Sequence, residues 1–533
     1  MSEAHHRPHW GVRRTLPPAV WTSINIVFSV NLGSFGERFG KRRVYGVTLI
    51  LMVVCAICSG LSFGSTPNAV MGTLCFFRFW LGFGIGGDYT LSATIMSEYA
   101  NKKTRGAFIA AIFAMQGVGI IFASLVPMTL SAIFLHFFPA PPFSSDHLRS
   151  TQPEADFLWR IVLMLGAIPA LITYYRRMKM PETTRYTALI AGNAEQAALD
   201  MGKVLEMEIQ AEQEKVAQFK SANDYSLLLG EFFRYHGLHL IGTMSTWFLL
   251  DIAFYSQNLT QKDIFPMMHL TSKAQKMNAL EEVLQTSKAM LHVALCGTYP
   301  GYWFTVLFIE KMGRCLIQLI GFFMMSALML IMEIEYEYLK DKNHILFATL
   351  YVLVFFFANF GPNSTTFVLA AELFPTRVRS TCHGLSAAAG KAGAIIGVFI
   401  VQSYMLDGDP KKIRSALIAL AFTNMIGFFC TFFVTETTGK SLEEISGEDG
   451  RAAGRRESMM LMGDVRLDLS RRRRVNRPDS LLTSATSEVW GDSEGRCEEG
   501  EESFLIGNMV SPQACNLGAG MDVAQCCRGF RMC

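Results

Sequence analysis

The segment GIGGDYTLSATIMSE, residues 84–98, places two acids, Asp88 and Glu98, inside an apolar stretch long enough to cross a bilayer. A carboxylate at that depth is costly, so it usually faces a helix bundle or lines a pathway for an ion, a proton or a polar substrate. This segment therefore predicts a membrane protein with a transport function.

The composition agrees with a membrane protein. Of 533 residues, 50% are hydrophobic and 17% are charged, with a mean hydropathy of +0.27, which exceeds what soluble domains usually show. The net charge of +3 gives no indication of a nucleic-acid partner. The sequence shows no nucleophile, metal or nucleotide motif, so we expect neither an enzyme nor a bound cofactor or metal. The lipid bilayer is the expected partner.

Hydropathy predicts an all-α polytopic fold with eleven spanning stretches. Basic residues cluster in alternate connections, which the positive-inside rule places in the cytoplasm, and this leaves the basic N-terminus on the wrong side. We therefore expect one helix to be missing before residue 19. The predicted stretches are 19–36, 44–64, 71–97, 106–137, 157–175, 236–257, 289–309, 315–335, 345–371, 382–405 and 413–434.

Charged motifs in the connections repeat along the chain. Glu37 and its neighbours recur at Glu310, 273 residues later, and Glu98 recurs at Glu372, 274 residues later. Two offsets that agree this closely indicate a duplicated half, and two such bundles around a central site are typical of secondary transporters. Acids and bases at helix ends can bridge neighbouring helices and gate the path. The predicted gating residues are Glu37, Arg38, Lys41, Arg42, Glu98, Arg105, Glu310, Arg314, Glu372 and Arg379.

These patterns divide the chain into five parts. A polar N-terminal segment is followed by an N-terminal bundle that lacks its first helix, a charge-mixed cytoplasmic linker, a C-terminal bundle and a disordered cytoplasmic tail. Their predicted bounds are 1–18, 19–175, 176–235, 236–446 and 447–533.

Several motifs match one family. The chain resembles the plant high-affinity inorganic phosphate:proton symporters of the major facilitator superfamily from roughly residue 16 to residue 447. The matching stretches are 86–106, 113–117, 247–255, 359–363 and 372–377. The resemblance implies a fold of two pseudo-symmetric helical bundles, which in the family contain twelve spanning helices in total. It also implies uptake of phosphate together with protons by alternating access. The family also suggests the plasma membrane as the location.

One helix face carries the predicted substrate site. Trp247, Asp251 and Tyr255 follow each other at steps of four, so a helix presents them on one side. Indole, phenol and amide groups donate hydrogen bonds that suit phosphate oxygens, whereas a carboxylate accepts one from a protonated phosphate. Packing remains an alternative for the two aromatic residues. With the resemblance added, the predicted phosphate contacts are Tyr89, Gln116, Trp247, Asp251, Tyr255 and Asn363.

A second set of charges is predicted to couple transport to protons. Arg78 and Asp88 lie ten residues apart, about 15 Å of helical rise, so each needs a partner elsewhere. Lys391 lies in a glycine- and alanine-rich segment and is expected to pair with Asp251 or with substrate; snorkelling to the membrane surface is the alternative for the two basic residues. The resemblance makes Arg78, Asp88, Asp251 and Lys391 the proton-coupling network.

The chain also departs from the family. Thr90 stands where the family has proline, and the family's first helix, with its aspartate, has no counterpart here. Two alternatives therefore remain: a sugar or organic-ion porter of the same superfamily, or a phosphate sensor or partner that does not transport. For any of these functions, a homo- or hetero-oligomer with family members is a further expected partner.

Overall fold

The structure is a computed structural model that describes residues 40–147, 149–179, 182–183, 187–188, 193, 195–199, 230–405 and 410–447. All regular secondary structure in these residues is helical. The predicted stretch 19–36, Glu37, Arg38, most of the linker and the tail beyond Gly447 lie outside them.

The N-terminal half contains five described helices. The signals that begin and end them are local: Thr66 accepts a hydrogen bond from the backbone N–H of Ala69, and Pro67 occupies the first turn of the second helix. The helices are α1 (Lys41–Gly60), α2 (Pro67–Tyr99), α3 (Arg105–Phe137), α4 (Ala155–Leu165) and α5 (Ala167–Lys179).

The C-terminal half follows the same scheme with more interruptions. Asn278 caps α7 and Asn343 caps α11 through their side-chain oxygens. The helices are α6 (Gly230–Ile264), α7 (Ala279–Val293), α8 (Tyr299–Met312), α9 (Arg314–Ile334), α10 (Tyr336–Lys342), α11 (His344–Asn359), α12 (Pro362–Glu372), α13 (Arg379–Met405), α14 (Pro410–Cys430) and α15 (Leu442–Ser446).

The described residues contain nine helical segments that are long and apolar enough to span a membrane, and they coincide with nine of the predicted stretches. Two of these segments each join two consecutive helices, α4 with α5 and α11 with α12. The predicted stretch 289–309 is helical as well. A π-helical turn, Ala294–Thr298, divides it into α7 and α8, each shorter than a span. Large apolar side chains such as Ile172 and Ile345 are 71% and 81% exposed, as expected for lipid-facing positions.

Helical structure extends into the predicted linker, 176–235, at both ends. Helix α5 continues to Lys179 and α6 already begins at Gly230. The apolar pattern ends where charged side chains begin, so the predicted stretch stopped before the helix does. Charged side chains are tolerated on helix ends that leave the hydrocarbon. Lys179, for example, lies 4.3 Å from the ring centre of Tyr175.

The two halves meet along α2 and α3. Helix α3 packs along α7 and α8 of the other half, while α2 contacts α12 and α13. Buried residues from both halves form one cluster at this boundary, which includes Phe113, Trp247, Tyr302 and Phe367. The core of the fold thus contains an aromatic cluster midway between the halves.

Glycine allows α6 and α13 to cross closely. A Cβ atom on Gly393 would lie 2.2 Å from the carbonyl oxygen of Phe248, and one on Gly397 would lie 2.5 Å from that of Ile252. No larger residue fits without moving a backbone. This crossing sets the distance between the charged side chains described next.

Candidate functional site

Helices α6 and α13 hold a buried ion pair between them. The Lys391 ammonium nitrogen lies 2.9 Å from Asp251 Oδ2 and donates a hydrogen bond of 2.8 Å to the Tyr255 hydroxyl. Asp251 is 1% exposed and Lys391 is 8% exposed. Each charge compensates the other, since an isolated buried charge is strongly unfavourable.

Gly390 shapes this site. A Cβ atom there would lie 2.5 Å from Cδ1 of Trp247 and 3.0 Å from Oδ2 of Asp251. The residue before Lys391 must therefore be glycine for the indole and the carboxylate to keep their positions. The sequence indicated only a segment rich in small residues.

A cage of aromatic rings lies beside the ion pair. The Tyr89 ring lies 5.9 Å from Trp247 and 4.9 Å from Phe367, measured between centroids, and Phe113 stacks on Phe367 at 4.6 Å. His383 completes the cage, 5.2 Å from Phe367. We use "aromatic cage" for these five residues. They come from α2, α3, α6, α12 and α13, so the cage joins both halves.

Two further predicted substrate residues have different surroundings. Asn363 is buried, and its amide donates to the Tyr302 hydroxyl at 2.8 Å and to Asn359 Oδ1 at 2.7 Å. Gln116 is exposed on α3, beside Gly117, which packs against the ring of Tyr302. The structure thus brings Tyr89, Trp247, Asp251, Tyr255 and Asn363 into the buried region and leaves Gln116 outside it. Sequence reasoning missed Tyr302, because its burial and its hydrogen bond with Asn363 depend on the fold. The only signal in the sequence is a polar aromatic residue within a predicted spanning stretch.

Asp88 pairs with a residue that the sequence placed in a loop. Its carboxylate accepts a hydrogen bond from the guanidinium of Arg177 on α5, and Arg177 also lies 4.4 Å from the ring centre of Tyr45 on α1. Arg78 is partly buried and its Nε has no hydrogen-bond partner among the described residues. Because Arg177 follows Arg176 near a helix end, only the fold distinguishes it from a surface cation.

The charged motifs meet at one end of the bundle, which we call the basic end. In the N-terminal half the Lys41 ammonium lies 2.5 Å from Glu98. In the C-terminal half Arg314 lies 2.8 Å from Glu310 and 3.1 Å from Glu372. Lys41 and Arg314 thus hold equivalent positions 273 residues apart.

Contacts at the basic end also cross between the halves. Arg379 Nη1 lies 3.5 Å from Oε1 of Glu98, and Arg105 donates to the backbone carbonyl of Lys440 at 3.3 Å. Glu310 accepts a hydrogen bond from the backbone N–H of Ala107 at 3.0 Å. Arg42 instead stays within its own half, where its side chain donates to the carbonyl of Met178 at 2.5 Å. The basic end is therefore closed in this structure.

The opposite end is also bridged. The backbone N–H of Phe143 donates to the carbonyl of Met277 at 3.2 Å, and that of Ser144 donates to Gln275 at 3.0 Å. The Asn278 side chain donates to the carbonyl of Ala140 at 3.1 Å. Contacts between the halves at both ends leave the ion pair and the aromatic cage enclosed between them.

Comparison with known proteins is consistent with this architecture. The family described as "Sugar (and other) transporter" matches residues 19–448. A solved structure of the proton:xylose symporter XylE, bound to 6-bromo-6-deoxy-D-glucose, superposes with a TM-score of 0.63 over 80% of this chain and 87% of its own, at 20% identity. At that identity the similarity shows the fold alone.

Sequence relatives are much closer. "Low affinity inorganic phosphate transporter 4" of Petunia hybrida is 72% identical over 420 residues, 79% of each chain. "Inorganic phosphate transporter 1-11" of Oryza sativa subsp. japonica is 70% identical over 78% of this chain and 75% of its own. The chain therefore belongs to the plant inorganic phosphate transporters of the major facilitator superfamily, a family of multi-pass membrane transporters and not of enzymes.

Proposed function

We propose that this protein carries inorganic phosphate together with protons into the cell, across the plasma membrane, by alternating access. The buried pair of Asp251 and Lys391 is the observation that carries the proposal. The relatives are named as inorganic phosphate transporters, which indicates the substrate. The buried ion pair offers groups that can bind it.

Lys391 attracts the anion, and Asp251 selects its protonation state. A carboxylate repels a fully ionised oxyanion, but it accepts a hydrogen bond from the O–H of a protonated phosphate. The hydroxyl of Tyr255, which already accepts from Lys391, lies beside both groups. Trp247 and Tyr89 contribute further N–H and O–H donors at the edge of the aromatic cage.

Charge balance supports coupling to protons. The pair of Asp251 and Lys391 is neutral as a unit, so an anion that entered alone would leave a net negative charge in a site closed to water. A proton on Asp251 would release Lys391 to pair with the anion and keep the site neutral. Co-moving protons also offset the inside-negative potential, which opposes inward movement of an anion by roughly 2.3 kcal/mol per charge per 100 mV.

Asn363 and Gln116 complete the proposed phosphate contacts only after a rearrangement. The Asn363 amide donates to Tyr302 and Asn359 in this state, so it must exchange one of them for substrate. Gln116 must approach from the exposed side of α3. Both changes accompany the movement of one half against the other, because α3 lies at the boundary between them.

The basic end provides the proposed inner gate. Arg379 and Glu98 join the halves there, and Arg105 and Glu310 add contacts to the opposite half. These contacts must break for substrate to leave toward the cytoplasm. Within each half, the pairs of Lys41 with Glu98 and of Arg314 with Glu372 hold the helix ends together while the halves move.

The test is uptake of radiolabelled phosphate, at acidic and neutral pH, into cells stripped of their own phosphate transporters. We expect uptake that is faster at acidic pH, competed by arsenate and lost in Asp251→Asn. Glu333→Gln is the matched control, because it removes the acid of a partly exposed pair with Arg414 in the same half.

Three other results would contradict parts of the proposal. Uptake that does not change with pH would exclude proton coupling. Competition by glucose or xylose but not by arsenate would identify a sugar porter. Binding of phosphate by surface-expressed protein without any flux would identify a sensor.

A further inference from the structure

His383 is a buried titratable residue with no role so far. It lies on α13 and its side chain is fully buried. The backbone of Phe367 lies close to the ring, but neither ring nitrogen makes a hydrogen bond of normal length and angle to any of the described residues. A buried polar group without such a partner costs free energy, so its presence in the aromatic cage calls for an explanation, such as contact with a ligand.

The surroundings of the ring are aromatic. The ring centroid lies 6.1 Å from that of Tyr89, 5.6 Å from that of Trp247 and 5.2 Å from that of Phe367. These rings meet the imidazole edge to face or tilted, and Tyr89 and Trp247 carry polar atoms at their edges. The imidazole therefore lies among the other rings of the aromatic cage.

The position of His383 along α13 is informative. On α13, His383 precedes Lys391 by eight residues, about 12 Å of rise, and follows Arg379 by four residues, about 6 Å. Arg379 contacts Glu98 at the basic end, whereas Lys391 contacts Asp251 in the enclosed site. Along α13, His383 therefore lies between Lys391 in the enclosed site and Arg379 at the basic end.

We propose that His383 is a second contact for the transported anion, which receives it from Lys391 when the basic end opens. The inference rests on the proposed phosphate transport. A neutral imidazole has one N–H donor and one nitrogen acceptor. A protonated phosphate has oxygens that accept and an O–H that donates, so it can bond to whichever ring nitrogen faces it without a change in the protonation of His383.

The substitution His383→Phe separates this role from packing, because it keeps an aromatic ring in the cage and removes both polar atoms. His383→Gln is the rescue variant, since its amide restores a donor and an acceptor near Nε2. His236→Phe is the control. That buried histidine packs against Phe232 at 5.5 Å, on α6, about 16 Å of helical rise from Trp247.

Two quantities are measured on purified protein: phosphate affinity at equilibrium in detergent, and the maximal rate of phosphate uptake into proteoliposomes. For His383→Phe we expect an unchanged dissociation constant within about twofold and a maximal rate at least about tenfold lower, the effect of one lost hydrogen bond in transit. His383→Gln should recover the rate to within about threefold of the wild type.

The inference is overturned if His383→Phe transports at the wild-type rate, or if His383→Phe and His383→Gln are slowed equally, which would identify a packing role. Should His383→Phe fail to fold, His383→Leu takes its place in the same comparison. Failure of the proposed function has a different signature, because the wild-type protein itself would then neither bind nor transport phosphate.

Discussion

Glu182 and Glu436 perform the same structural task in the two halves. Glu182 accepts hydrogen bonds from the backbone N–H groups of Lys41 and Arg42, at 3.1 Å each, and Glu436 does the same for Arg314 and Cys315, at 3.1 and 2.8 Å. Each carboxylate caps the N-terminus of a helix and opposes the positive end of its dipole.

The turn before each of these helices is repeated as well. Gly40 and Gly313 have φ angles of 95° and 90°, a conformation that favours glycine. A Cβ atom on Gly313 would also approach the Glu436 carboxylate at 2.7 Å. The duplication inferred from the offset of the charged motifs thus extends to backbone angles and helix caps.

Replacing Glu436 tests the cap and its dependence on pH. Burial raises the pKa of Glu436, but hydrogen bonds from Thr438 and from the backbone N–H groups of Cys315 and Arg314 outweigh it and hold the pKa below its ordinary value. Its stabilising effect is therefore present above the unfolded pKa of about 4.3 and is lost as the pH falls through the folded value.

For Glu436→Gln we accordingly expect a loss of about 1 kcal/mol in unfolding free energy at neutral pH, and a smaller difference from the wild type below about pH 4. Thermal unfolding in detergent across this range measures it. A difference that grows on acidification would show that the carboxylate is not held ionised by the cap.

The ion pair of Asp251 and Lys391 can be tested as a unit. Either single change, Asp251→Asn or Lys391→Gln, leaves one buried charge without compensation, and we expect each to lower stability by about 3–5 kcal/mol. The double variant should recover most of that loss without recovering transport. A double-mutant cycle of thermal unfolding, measured alongside phosphate uptake, is the experiment, and additive losses would indicate that the two charges act independently.

The close crossing of α6 and α13 predicts a sharp difference between two glycines. Gly393→Ala places a methyl group against the Phe248 carbonyl, and we expect a loss of about 1–3 kcal/mol from overpacking. Gly72→Ala is the matched control, because a Cβ atom on Gly72 meets nothing within 4 Å. It should be neutral or slightly stabilising. Equal changes in thermal stability for the two variants would mean that helix propensity, and not packing, determines the effect of replacing glycine.

The contact of Glu98 with Arg379 predicts control of the basic end. Glu98→Gln weakens the buried contacts to Lys41 and Arg379, so we expect the halves to separate there more often. Spin labels at the exposed positions Lys103 and Lys311 should report a longer mean distance.

Lys102→Gln is the control for that experiment. Its pair with Glu444 is 3.5 Å long and its side chains are 42% and 53% exposed. Exposed pairs of this kind contribute little. If Lys102→Gln lengthens the label distance as much as Glu98→Gln does, the buried contacts are not what closes the basic end.

Arg177 is expected to matter despite its place near the end of α5. Arg177→Gln leaves Asp88 without its partner, and we expect a loss of up to about 3 kcal/mol, less than for a fully buried pair because both side chains are partly exposed. Arg149→Gln, at a side chain that is 84% exposed, should change nothing measurable. Equal thermal stabilities of the two variants would show that the pair with Asp88 is only a surface contact.

Much of the fold followed from short-range patterns. Spanning stretches are continuous apolar runs, and the repeated charged motifs are short segments in the connections. Both can therefore be recognised from residues that are close together in the sequence. The family motifs around Asp88 and Trp247 likewise pointed to the phosphate transporters. Helix bounds near the linker were less predictable, because charged side chains such as Lys179 extend a helix beyond its apolar part.

The sequence by itself determined the membrane fold, the duplication, and the helix face that carries Trp247, Asp251 and Tyr255, because helical periodicity and hydropathy depend only on neighbours along the chain. Tertiary structure decided between the two predicted partners of Lys391, which pairs with Asp251. It alone identified Arg177 as the partner of Asp88 and His383 as a member of the aromatic cage. The two ion pairs join residues 140 and 89 positions apart, and their distances are set by how closely the helices cross. Gly390 and Gly393 permit that crossing, but nothing in their local sequence specifies which side chains it brings together.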